Sequence, residues 1–85
     1  MKILETAKFA RLRKKIKEEY EKEALNAAVR MVFLNPAIGK SLKGEFKDLR
    51  SYRYSSRGQS RRLIYKIESD ILILFSFGPR EGIYR

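Results

Sequence analysis

The chain closes on FSFGPREGIYR, which sets Arg80, Glu81, Tyr84 and Arg85 directly after an apolar run and a Gly-Pro break. Arginine and tyrosine together suit phosphate chemistry. The guanidinium is charged at any relevant pH and grips phosphate oxygens in pairs. A phenol can stack on a base or, if neighbouring cations lower its ordinary pKa of about 10, trade a proton. The 85 residues include no cysteine and no histidine. That removes disulfides, thiolate metal sites, thiol nucleophiles and the usual general base near neutral pH, so any chemistry falls to Arg, Lys, Tyr and carboxylates. No metal and no cofactor is expected.

Lysine and arginine number 20 against 10 acidic residues, a formal net charge of +10. Such an excess is more than solubility needs and makes a polyanion the expected partner, nucleic acid ahead of an anionic membrane or an acidic protein. No apolar stretch approaches the length of a membrane span, and Met1 to Thr6 lacks the apolar run of a signal peptide, so a cytoplasmic location is expected. The length fits one domain over residues 1–85, with a core small enough to claim most of the apolar side chains.

The elements that must position the arginines follow from the apolar periods. Ile3 and Leu4 open a short strand, after which Phe9, Leu12 and Ile16 recur at helical spacing among Arg11, Arg13, Lys14 and Lys15. Tyr20, Ala24, Ala28, Met31 and Leu34 continue that spacing in a second helix, which Asn35-Pro36 stops because proline disfavours helix in the residue before it. Gly39, Lys40, Ser41, Lys43 and Gly44 read as a loop. Beyond it the period falls to two, predicting strands over 49–55, 60–68 and 71–77, joined by hairpins at Ser56 to Gln59 and Glu68 to Asp70. The expected fold is therefore α+β, β-α-α-β-β-β, with two helices on one face of a small, mainly antiparallel sheet and solvent on the other.

Alternation divides each strand into faces. Tyr52 and Tyr54 point one way with Leu63, Tyr65 and Ile67, while Ser51, Arg53 and Ser55 point the other way with Arg62, Ile64, Lys66 and Glu68. In the last strand Ile71, Ile73, Phe75 and Phe77 are assigned to the core, and Leu72, Leu74, Ser76 and Gly78 to the open face, aiming Arg80 toward Arg53 and Arg62. On pattern alone Arg53, Arg57, Arg61 and Arg62 also fit a solvated sheet face with a charged hairpin, and Tyr84 a ring folded over the core edge.

The strings ETAKFARLRKKI, NPAIGKSLKG, LRSYRYS, RRLIYKI and above all FGPREGIYR resemble the RelE/ParE superfamily of bacterial toxins from toxin-antitoxin pairs, over essentially the whole chain. The resemblance implies a RelE-like, metal-independent endoribonuclease that cuts messenger RNA in the decoding site of the ribosome and is silenced by a small acidic antitoxin. Matched one by one, it gives catalytic roles to Arg62, Arg80 and Tyr84, and it leaves Arg53, Arg57, Arg61, Lys66 and Arg85 to hold nucleic acid. Arg53 stands where RelE has a lysine, and Ser55 where it has a second. Two other readings use the same basic face: a ParE-like inhibitor of DNA gyrase that cuts nothing, and a nonenzymatic RNA-binding module.

Overall fold

The computed structural model describes residues 1–79, so Arg80, Glu81, Tyr84 and Arg85 lie outside the described residues. The elements run β1 (Lys2–Glu5), α1 (Ala7–Lys14), α2 (Glu19–Leu34), β2 (Lys40–Ser41), β3 (Arg50–Ser56), β4 (Gln59–Glu68) and β5 (Ile71–Gly78). They form one sheet of order β1-β5-β4-β3-β2, in which β1 is parallel to β5 and every other pair is antiparallel. The α+β architecture expected from the sequence is present. The supposed loop at Gly39 to Gly44 holds an additional short strand, β2, and one turn of 3₁₀ helix begins on either side of it, at Pro36 and at Gly44.

Local chemistry explains where the helices start and stop. The Thr6 hydroxyl caps α1 by accepting from the Phe9 amide at 3.1 Å, and it donates to the Phe75 carbonyl at 2.9 Å, tying the helix start to β5. Arg11, Arg13 and Lys14 fill the last turn, where the helix dipole favours cations, whereas Glu19 and Glu21 occupy the first turn of α2. The β3–β4 hairpin turns on Arg57 and Gly58, both with positive φ, at 48° and 82°, the pairing that a tight two-residue hairpin requires and that glycine adopts without strain.

Phe9, Leu25, Ala28, Val32, Leu63, Tyr65, Leu72 and Leu74 form the buried core, with Tyr52, Tyr54 and Phe77 packed at its margin. Phe9 meets Phe77 edge to face at 5.1 Å between ring centroids. Two assignments from the sequence need correction. In α2 the buried stripe is Leu25, Ala28 and Val32, while Met31 and Leu34 are 43% and 72% exposed. Two series at helical spacing share Ala28, and the bulkier one, flanked by Val29 and Phe33, buries more apolar surface and sets the rotation of the helix.

The second correction concerns β5. Ile64 pairs with Ser76 but Tyr65 pairs with Leu74, leaving Phe75 as an extra residue in a bulge. Phe77 and Gly78 keep the faces expected of them, but below the bulge the alternation inverts. Leu72 and Leu74 enter the core, and Ile71, Ile73 and Phe75 leave it half-buried. The face opposite the helices is also less open than expected. Ile64 is buried there, and an apolar cleft of about 320 Å³ lined by Phe46, Leu49, Ile64 and Phe75 occupies part of it.

Candidate nucleic-acid interface

Antiparallel pairing sets Arg53 of β3 directly opposite Arg62 of β4, and Arg62 in turn opposite Gly78 of β5. Two pairs closer to the 3₁₀ turns, Lys40, Ser51, Ile64 and Ser76 form the next row across the same face. The result is a groove of about 360 Å³ lined by Ile38, Lys40, Ser51, Tyr52, Arg53 and Arg62. Like charges directly opposed across a ladder are destabilising. Among the described residues no carboxylate forms an ion pair with Lys40, Arg53 or Arg62. Arg62 is half-buried, its Nη1 donates to Ser51 Oγ at 3.4 Å, and its buried Nε has no partner among the described residues.

The backbone that carries Lys40 is held by a buried hydroxyl. Tyr65, fully inside the core, donates from its phenol to the Pro36 carbonyl at 2.7 Å and accepts from the Gly39 amide at 2.9 Å. Arg50 adds a bond from Nη1 to the Gly39 carbonyl at 2.7 Å. The chain approaches so closely that a Cβ at position 39 would lie 2.8 Å from the Tyr65 ring, which leaves room for glycine alone. Burial pushes the Tyr65 phenol up from its ordinary pKa, against the opposing pull of the Gly39 amide and Arg50, so it remains a donor.

The other basic residues singled out from sequence stand elsewhere. Arg61 alternates with Arg62 and so points to the helix side, where it meets Glu21 at 2.8 Å. Tyr54 lies in register with Arg61, and burial pushes its phenol up to about 12. Arg57 lies at the hairpin tip with its guanidinium 4.0 Å from the centre of the Tyr20 ring. Lys66 shares the face of Arg62 but sits four residues further along β4, bonded to Glu68 at 3.0 Å. The structure thus brings Arg53 and Arg62 together and adds Lys40, while Arg57, Arg61 and Lys66 are distributed around the sheet. Lys40 escaped the sequence reading because a two-residue strand is too short to show a period. Its one signal is position, directly after a glycine and ahead of Ser41.

Three cations on one groove, two of them forked, can hold phosphate oxygens and stabilise negative charge as it develops. Guanidinium groups do not exchange protons at neutral pH, so they serve charge stabilisation rather than acid-base transfer. Among the described residues no three metal-ligating side chains cluster, and no helix is long and apolar enough to cross a membrane.

Comparison with known proteins extends these observations. The model of a family described as ParE-like toxin of type II bacterial toxin-antitoxin system matches residues 3–85. No curated protein matches the chain. Among solved structures, the isolated E. coli RelE toxin superposes with a TM-score of 0.74 at 19% identity, covering 98% of this chain and 89% of that one. The toxin chain of the intact E. coli RelBE toxin-antitoxin complex gives 0.73 at 18% identity, covering 94% and 96%. The RelBE2 toxin-antitoxin complex from Mycobacterium tuberculosis gives 0.67 at 20% identity, covering 93% and 96%.

Proposed function

Because the chain belongs to the ParE-like toxin family of type II bacterial toxin-antitoxin systems, we propose that its toxic act is cleavage of messenger RNA held in the decoding site of the ribosome. The observation that carries this reading is the opposed pair Arg53 and Arg62. A fold of this size gains nothing in stability from placing two guanidiniums face to face, so the arrangement is accounted for by a phosphate between them.

Cleavage proceeds by attack of the 2′-oxygen on the adjacent phosphorus, with loss of the hydroxyl proton, and departure of the 5′-oxygen, which takes up a proton. The products are a 2′,3′-cyclic phosphate and a free 5′-hydroxyl. Arg62, together with Arg80, stabilises the charge that builds on the equatorial oxygens, and Arg53 orients the backbone. Tyr84 orients or deprotonates the attacking hydroxyl. The ribosome supplies the in-line geometry, so naked RNA should be a poor substrate.

The partner that silences the toxin is a small acidic antitoxin. This is supported by the net charge of +10 and by fold relatives solved as toxin-antitoxin complexes. Its segment lies across the helices or a sheet edge. The test is direct: purified toxin is added to translating ribosomes and to the same messenger free in solution, and cut positions are mapped by primer extension. Cuts confined to the decoding site support the reading. Uncut messenger together with inhibited DNA gyrase would replace it with the gyrase-inhibitor reading.

A further inference from the structure

We infer that Lys40 is a phosphate-binding residue of the same groove, holding the RNA backbone one nucleotide away from the cleaved linkage; this rests on the ribonuclease reading above. Lys40 pairs with Ser51, so its side chain rises on the face of Arg53 and Arg62. Diagonal neighbours on adjacent strands lie about 7–8 Å apart, which puts the Lys40 stem within side-chain reach of a phosphate contacting Arg53. The groove holds about 360 Å³, at the lower end for small-ligand sites and enough for a nucleotide rather than a folded RNA.

A surface lysine by itself carries no such meaning, since lysines decorate most surfaces. Lys40 differs because its backbone is fixed from below. Tyr65 and Arg50 hold the Pro36 to Gly39 segment by bonds of 2.7 to 2.9 Å, and the Leu42 amide donates to the Leu49 carbonyl at 3.0 Å on the other side of β2. A short edge strand with so much core anchorage presents its one groove-facing cation at a set place. That lowers the ordering cost of a phosphate contact. The exposed side chain has no ion-pair partner among the described residues, so no ion pair with any of them must break before RNA is bound.

A binding contact made equally in ground and transition states raises KM when removed and leaves kcat alone. Lys40→Ala should therefore raise KM for messenger-programmed ribosomes about tenfold, as for loss of a charged hydrogen bond, with kcat within twofold of the parent. The salt slope of binding to ribosomes carrying a 2′-deoxy, uncuttable codon should fall by about 0.7, one counterion's worth for a single strand. Lys40→Arg should restore both values, and Lys22→Ala, which removes the same charge from exposed surface of α2, should change neither. Parental KM and slope in Lys40→Ala, with the parent cutting normally, would overturn the assignment of Lys40 and leave the ribonuclease reading standing. A parent that neither cuts nor binds programmed ribosomes would remove both together.

Discussion

Arg53 and Arg62 are directly paired residues of the β3–β4 ladder, two cations facing one groove with no carboxylate bonded to either among the described residues. An arrangement kept for folding would not look like this. Neighbouring Arg61, on the opposite face of β4, shows the alternative, with Glu21 at 2.8 Å. The contrast separates a cation that closes an ion pair from cations that have no carboxylate partner among the described residues.

The opposed pair has a consequence for stability. Arg53→Gln should leave the melting temperature unchanged or raise it by roughly 1–5 °C, because relieving a like-charge cross-strand pair is worth about 0.2–1 kcal/mol in a domain of this size. The same variant should bind programmed ribosomes less tightly. Thermal denaturation at low salt beside a binding titration checks both. A clear loss of stability would mean that the guanidinium has a structural role that the fold does not reveal.

Tyr65 is expected to couple the core to the groove. Tyr65→Phe strands the buried Gly39 amide and the Pro36 carbonyl, each costing about 1–3 kcal/mol if left unpaired, so the melting temperature should fall by several degrees or more. Gly39→Ala should destabilise by about 1–3 kcal/mol through collision with the same ring. A parental melting temperature in both variants would show that the segment before β2 is not anchored as described.

Alkaline titration tests the environment of Tyr54. Its phenol has an ordinary value of 10.0 and is pushed up to about 12 in the fold, chiefly by burial. Below the unfolded value both states keep the proton and the contribution to stability is fully present. Between the two values the unfolded chain releases its proton first, so stability falls as pH rises through that window. Phenolate absorbance should show a late component near 12 that Tyr54→Phe removes. Its appearance near 10 instead would place the ring in water.

The sequence carried much of this, unevenly, and the reasons are physical. That Arg53 and Arg62 share one face was legible because β3 and β4 obey strict alternation across a tight hairpin, where one residue of slip would turn the Leu63 and Tyr65 side chains out of the core. The same alternation sets Arg61 on the helix side, yet its place in a run of basic residues drew it into the expected interface. Alternation failed in β5, since the bulge at Phe75 inverts the faces of Leu72 and Leu74 and depends on tertiary packing that no local pattern reports. The rotation of α2 was ambiguous for a related reason: two apolar series cross at Ala28, and only the partner surface chooses between them. Lys40 was hidden by the brevity of β2. The roles expected of Arg80, Tyr84 and Arg85 rest on the closing motif, outside the described residues.

Salt should modulate recognition strongly. With Lys40 and Arg53 each neutralising phosphate in the ground state, the logarithm of affinity for programmed ribosomes should fall with the logarithm of salt at a slope of about −1.4 or steeper. Binding indifferent to salt between 50 and 200 mM, a range over which phosphate contacts are expected to weaken markedly, would point to a protein target.

The central claim is that Arg62 acts on the phosphate in the transition state. The measurement is the single-turnover rate of messenger cleavage on saturating programmed ribosomes, comparing the parent with Arg62→Ala while circular dichroism verifies the fold. Loss of a donor to developing charge should lower the rate about a hundredfold or more and leave ribosome affinity nearly as before. A folded Arg62→Ala protein that cuts in the decoding site as fast as the parent would contradict the account.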